Sequence, residues 1–306
     1  MIVAMCVRDE AATLAQTLDS LRVALGRKPR FLFHDTGSTD GTPAIAVRYG
    51  VVLHREWPDS YADAYNAVLA DAEARAQSSE EWIFHAYARR TYHGRFARQP
   101  YECAWTTENW SEWLNASRIT AYRARLGLRY EGRTHEVLRG FEGRSVGDSG
   151  VTLRRLDVAH PRPERFERDL RLLEGDDSPR AAFYRAQTLA CLGRLPEAYD
   201  AYLARAHRTD GDQQERYVAL FRVLQMYPRE PAHAPVIQTL AGLAGTIAPE
   251  RVEHHVAAAE WYADVGLLGP AAQRALRVRG PSPAGGLFVD PTAPARAAKV
   301  LARATV

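Results

Sequence analysis

The chain has 306 residues, 46% hydrophobic and 25% charged, a balance that excludes collagen-like and disordered classes and leaves room for about two domains. Net charge is only +3, and the cysteines Cys6, Cys103 and Cys191 are odd in number and far apart. This excludes a dedicated nucleic-acid binder, a disulfide framework and a paired-cysteine site, with a reducing cytoplasm as the expected compartment. No stretch approaches the ~20 apolar residues of a membrane span, and the opening run meets Arg8 without a basic leader, so neither a span nor a signal peptide is expected.

Met1 to Val7 is a continuous apolar run suited to a strand buried on both faces. Asp9 then offers a cap for a helix in which Leu14, Leu18, Leu21 and Leu25 recur on one face, with Gly26 to stop it. Phe31-Leu32-Phe33 reads as the next strand, Pro43 sits where a first helical turn accepts proline, and Gly50 closes that short helix before the strand Val51-Val52-Leu53. Such alternation predicts a mostly parallel sheet covered by helices, with ligands at the carboxyl ends of its strands. Beyond Glu164 strand signals give way to helical periodicity that runs to about residue 279. Gly193, Glu197-Ala198 and Tyr202, and again Tyr262, Gly266 and Ala271, carry the small and aromatic spacing of tetratricopeptide-type helix pairs. Gly280 to Gly286 reads as a loop before a last helix, Ala293 to Arg303.

The segment Phe33-His34-Asp35-Thr36-Gly37-Ser38-Thr39-Asp40-Gly41-Thr42 closes a strand and opens a helix. There, backbone N–H groups and a carboxylate can face a nucleotide, and Asp35 suits a base N–H or a ribose hydroxyl. A tight turn capped by Asp is the plainer alternative. Asp-Thr-Gly-Ser also suggests an aspartic protease, but one such loop amid helical periodicity excludes it.

Four ordered pieces carry a family resemblance: Val7-Arg8-Asp9-Glu10; Asp35 to Thr42; Tyr130-Glu131-Gly132-Arg133-Thr134-His135-Glu136; and Arg168 to Glu174 leading into Phe183-Tyr184-Arg185-Ala186-Gln187 and Leu192-Gly193. Tyr61-Ala62-Asp63-Ala64-Tyr65-Asn66 adds a fifth, with Tyr65 where the family usually has Arg. Together they make the chain resemble a family-2 glycosyltransferase of the GT-A fold with a C-terminal tetratricopeptide-like domain. The resemblance implies an α/β, Rossmann-like nucleotide-sugar-binding sheet domain over residues 1–164 and an all-α helical-repeat-like domain over 165–306. It implies a UDP- or GDP-linked sugar donor, inverting displacement at the anomeric carbon, and a donor-binding set of Arg8, Glu10, Asp35, Ala86, Tyr87 and Arg89. His135 and Glu136 are the expected catalytic pair, because His and Glu are the commonest general bases. Glu108 is an alternative base on an aromatic-rich loop with Trp105, Trp110 and Trp113.

One departure is large. Where the family carries Asp-x-Asp to hold ribose and a divalent metal, this chain has His85-Ala86-Tyr87 followed by Ala88-Arg89-Arg90. A hard cation such as Mg²⁺ or Mn²⁺ loses its oxygen ligands there, and His85 with His160 is the remaining candidate metal pair. The departure predicts weak metal dependence, with arginines neutralising the donor diphosphate. Positive charge is almost all arginine, clustered at Arg118, Arg123, Arg125, Arg129, Arg133 and Arg139 and again from Arg154 to Arg171. The rival expectation is a catalytically degenerate nucleotide- or carbohydrate-binding module with a protein-docking helical domain. For the helical domain as a recruiter, a peptide acceptor is expected over a lipid.

Overall fold

The computed structural model describes residues 1–26, 28–97, 100–111, 114–156, 163–283 and 289–304. The chain divides into two compact units, one of Met1–Trp110 and Ser117–His160, the other of Ser111–Ala116 and Pro161–Val306.

The first unit opens with β1 (Ile2–Val7), α1 (Leu14–Leu25), β2 (Arg30–Asp35), α2 (Thr42–Ala46), β3 (Gly50–His54), α3 (Tyr61–Ala74) and β4 (Trp82–His85). It continues with β5 (Arg90–Gly94), β6 (Cys103–Ser111), β7 (Leu114–Arg123), β8 (Arg129–Glu131), β9 (Val137–Arg139) and β10 (Val146–Arg155). Eight strands form one sheet in the order β3-β2-β1-β4-β7-β6-β10-β5, while β8 and β9 pair by themselves. The first four strands are parallel to one another and β10 pairs parallel with β6, while β4 meets β7 and β10 meets β5 antiparallel, so the sheet is mixed.

Strand alternation sorts β1 between two cores. Val3, Met5 and Val7 pack with Leu14, Leu18 and Leu21 of α1, while Ile2 and Ala4 pack with Ala62, Val68 and Leu69 of α3. Each fully buried leucine contributes about 1.5–3 kcal/mol, which explains why α1 stays on the sheet without a side-chain cap. That helix starts after Thr13, not at Asp9, and ends at Gly26 with φ +81°. Gly50 does not close α2, which stops at Ala46; it opens β3 opposite Phe31, where a Cβ would lie 2.2 Å from the Phe31 carbonyl oxygen.

The second unit is helical in its longer segment: α4 (Pro163–Leu172), α5 (Pro179–Cys191), α6 (Leu195–His207), α7 (Gln213–Met226), α8 (Ala234–Ile247), α9 (Glu253–Asp264), α10 (Leu268–Ala275) and α11 (Ala293–Ala304). Two turns are equivalent. After α5, Gly193 has φ +75° and Arg194 N–H donates to Leu189 O at 3.0 Å; after α9, Gly266 has φ +80° and Leu267 N–H donates to Tyr262 O at 2.8 Å. This six-to-one closure satisfies carbonyls that a helix end leaves open. Ala186, Ala198, Ala259 and Ala271 are fully buried at matching positions, so the small residues of the tetratricopeptide-type pattern are helix-packing positions.

Candidate functional site

Parallel pairing puts the ends of three strands side by side: Val7 opposite Asp35, and Asp35 opposite His54. Just beyond them lies a cleft of about 500 Å³ lined by Arg8, Asp35, Thr36, Gly37, His54, Arg55, Glu56 and Trp57. Asp35 is 3% exposed. Its Oδ1 accepts from Ser38 N–H at 3.3 Å and from the Ser38 hydroxyl, and its Oδ2 accepts from His54 Nδ1 at 3.1 Å. His34 faces the other side of β2, donating from Nε2 to Asp71 at 2.8 Å.

Two sequence motifs are stitched into one loop pair here. Thr39 N–H donates to Asp9 Oδ1 at 2.8 Å, Asp9 N–H to Ser38 Oγ at 3.1 Å, Glu10 N–H to Thr42 Oγ1 at 2.7 Å and Ala11 N–H to Asp40 Oδ2 at 3.0 Å. Asp9 is therefore a bridge between loops, held at φ +52°, rather than a helix cap. Glu10 takes the Arg89 Nε–H at 2.6 Å; burial of its carboxyl outweighs that attraction and raises its pKa. Arg8 is exposed at the cleft rim.

A second group forms where β4 ends. His85 is 1% exposed and its Nδ1 shares a hydrogen bond of 2.8 Å with the Tyr130 hydroxyl, which lies 3.1 Å from the Tyr87 hydroxyl. Tyr65 packs edge-on against His85 with ring centroids 4.5 Å apart. Burial, helped by the Arg118 cation, pulls the His85 pKa down to about 3, so the ring is neutral near pH 7. Burial also raises the Tyr65, Tyr87 and Tyr130 hydroxyls, and the Glu136 carboxylate pushes all three further the same way. Expected catalytic residue Glu136 thus shares its electrostatic surroundings with the His85 group. His135 adopts φ +51° beside it.

Helix α3 organises this corner. Asn66 clamps the Tyr130 backbone from both sides, donating from Nδ2 to its carbonyl at 2.9 Å and accepting its N–H at 2.7 Å. Tyr61 N–H donates to Arg133 O at 2.9 Å, which docks the segment carrying His135 and Glu136 on the first turn of α3. Trp57, Tyr61 and Tyr65 then make a continuous aromatic path, 5.0 and 6.1 Å between centroids, from the Asp35 cleft to His85.

Glu108 lies on β6 and not on a loop. It is fully buried, with Oε1 accepting from Arg90 Nε–H at 2.5 Å and Oε2 from Arg118 Nη2–H at 2.7 Å. A carboxylate so occupied positions guanidinium groups rather than taking protons from an acceptor. Arg118 is the site residue that sequence reading passed over, since its partner Glu108 is brought to it by strand pairing; only its place in the arginine cluster pointed to it. Ala86 is buried, and its N–H donates to Ala4 O at 2.9 Å.

The resemblance implies a divalent metal beside His85 and Tyr87, and the donor set there does not fit one. His85 Nδ1 is taken by Tyr130, which leaves its buried Nε2 as a single neutral nitrogen donor, and the Arg118 cation lies 5.2 Å from the Tyr87 ring. Hard cations want several anionic oxygens, and among the described residues no group of three or more His, Cys, Asp or Glu side chains is placed to hold a metal. His160, Trp113 and the Trp110 side chain lie outside the described residues. Among the described residues no helix is long and apolar enough to cross a membrane.

Residues 2–83 match the family model described as Glycosyl transferase family 2. A TPR repeat-containing protein of Synechococcus elongatus is 31% identical over 143 residues, 44% of this chain and 34% of that protein, so the chain spans about a third of the length of the curated relative it matches. Among solved structures, that of S. aureus TarS 1–349 in complex with UDP has a TM-score of 0.36 at 11% identity, covering 94% of this chain and 95% of that one. Another structure of S. aureus TarS has a TM-score of 0.38 at 12% identity, covering 95% of this chain and 60% of that one.

Proposed function

From a chain whose residues 2–83 are a glycosyl transferase family 2 segment, we propose a glycosyltransferase that binds a UDP- or GDP-linked sugar in the Asp35 cleft and passes the sugar to an acceptor hydroxyl by inverting displacement. The observation that carries this reading is the buried Asp35 carboxylate, aligned with Val7 and His54 at the carboxyl ends of three parallel strands, where open α/β sheets bind ligands. Asp35 and Arg8 take the nucleoside; Glu136 removes the acceptor proton, and His135 positions the loop that presents it. The acceptor oxygen attacks the anomeric carbon as the nucleoside diphosphate departs. Residues 1–164 form the donor domain, and the helix pairs of 165–306 recruit the acceptor, a polypeptide segment laid along stacked helices.

The test is release of nucleoside diphosphate from a panel of UDP- and GDP-sugars. Glu136→Gln is expected to slow release about 100-fold or more while leaving donor affinity unchanged. Release by Glu136→Gln at the full rate would refute the assignment of the base. A second reading has its own support: His85 and Tyr87 stand where the family carries carboxylates, which fits a binding module that has given up transfer. Donor binding without release under any condition would establish that reading.

A further inference from the structure

With the nucleoside in the Asp35 cleft, a diphosphate directed along the strand ends toward β4 and β7 would come to Arg118. The sheet order places β2 and β7 three strands apart, roughly 14 Å at ~4.8 Å per step, a span that base, ribose and diphosphate cover in line. The aromatic path Trp57, Tyr61, Tyr65 follows the same route and ends on His85. There Phe84 pairs with Ala121, and the antiparallel register brings Arg118 beside Tyr87.

Glu108, with no exposure, sits between Arg90 and Arg118, so one carboxylate is shared by two guanidinium groups. The Glu136 carboxylate acts on the neighbouring Tyr87 and Tyr130 hydroxyls, and Arg118 also hydrogen-bonds Tyr87. The two guanidinium groups are not equally available. Arg90 is 18% exposed, while Arg118 is 32% exposed. Arg89 is committed one-to-one to Glu10. A guanidinium presents a fork of donors that matches phosphate oxygens, and one fixed by a buried carboxylate loses little side-chain freedom on binding.

We infer that Arg118, seated by Glu108 and backed by Arg90, is the cation that receives the donor diphosphate, so that the site binds nucleoside diphosphates without a divalent metal. The inference rests on the donor reading of the Asp35 cleft and assigns its phosphate subsite. It also fits the exchange of the carboxylates for His85 and Tyr87 together: beside a resident cation, two acids would pair with Arg118 in place of the diphosphate, whereas Tyr87 offers it only a neutral hydroxyl.

The experiment is calorimetry on the full chain with uridine, UMP and UDP, and with guanosine, GMP and GDP, each in EDTA and in millimolar Mn²⁺. One base series is expected to bind, its diphosphate at least tenfold tighter than its monophosphate in EDTA, with Mn²⁺ changing this less than twofold. Arg118→Met should abolish the step from mono- to diphosphate and leave nucleoside affinity unchanged. Arg118→Lys should keep part of the step. Should Arg118→Met fail to fold, Arg118→Met with Glu108→Gln, which strands no buried carboxylate, gives the same readout. A tenfold loss of diphosphate affinity on chelation, or a step that survives the loss of Arg118, overturns the inference. Diphosphate binding through Arg118 with no nucleoside binding refutes the cleft reading and leaves the anion subsite standing; binding of neither overturns both.

Discussion

Acid should loosen the sheet unit through His85. Its imidazole is 1% exposed and burial holds its pKa at about 3, against an ordinary value near 6.5 in the unfolded chain. Between those values the unfolded state binds a proton that the folded state refuses, so stability rises with pH across this window and falls as pH drops below about 6.5. At about 1.4 kcal/mol per pH unit, His85 alone removes about 2 kcal/mol at pH 5 and about 3 kcal/mol at pH 4. His85→Phe removes the titrating ring and its unpartnered Nε2 and leaves the Tyr130 hydroxyl with Tyr87 at 3.1 Å, while its larger ring adds a packing cost that is the same at every pH. Between pH 7.5 and pH 5 the variant should therefore gain about 2 kcal/mol on the native chain. Hydrogen exchange on the full chain, read in peptides covering β1 and β4 and corrected for the intrinsic rate at each pH, measures the difference. Parallel pH profiles for the two proteins would show that His85 titrates normally and that the buried cluster has been misread.

Asn66→Leu leaves the Tyr130 N–H and carbonyl without their clamp, and should cost about 1–3 kcal/mol by thermal unfolding and slow any transfer that depends on Glu136. Gly193→Ala and Gly266→Ala each force a Cβ into a left-handed turn with nothing within 4 Å of it, so each should cost about 1–2 kcal/mol from backbone strain alone. Equal losses in urea unfolding are expected of equivalent helix-pair turns, and a loss at only one would show that the two pairs are not alike.

Much of the first half of the sheet was legible in the sequence, because β1 is apolar on both faces and α1 repeats leucine on one face. These are local patterns. The cap at Asp9 was misread for a non-local reason: its carboxylate is drawn across to Thr39 N–H on the next loop, a bond that no spacing within α1 announces. Gly50 looked like a helix stop because its true constraint, contact with the Phe31 carbonyl, depends on which strand becomes its neighbour. Strands β6, β7 and β10 carry polar residues at buried positions, Thr106 and Glu108, Thr120, and Ser149, so their pattern does not read as strand until Glu108 is seen to be neutralised by Arg90 and Arg118. Asp35 and the Tyr130–Glu136 segment were visible as motifs. Their meeting through Tyr61, Tyr65 and Asn66 of α3 was not.

Binding of UDP and GDP to the full chain and to Asp35→Ala, measured by calorimetry, tests the donor cleft most directly. Removing a carboxylate that is 3% exposed, and that the proposed reading assigns to the nucleoside, should weaken the nucleotide that binds by about 1–3 kcal/mol, roughly 5- to 150-fold, with no loss of the folded state. Equal affinity in the two proteins, or no affinity for either nucleotide in the native chain, would contradict it.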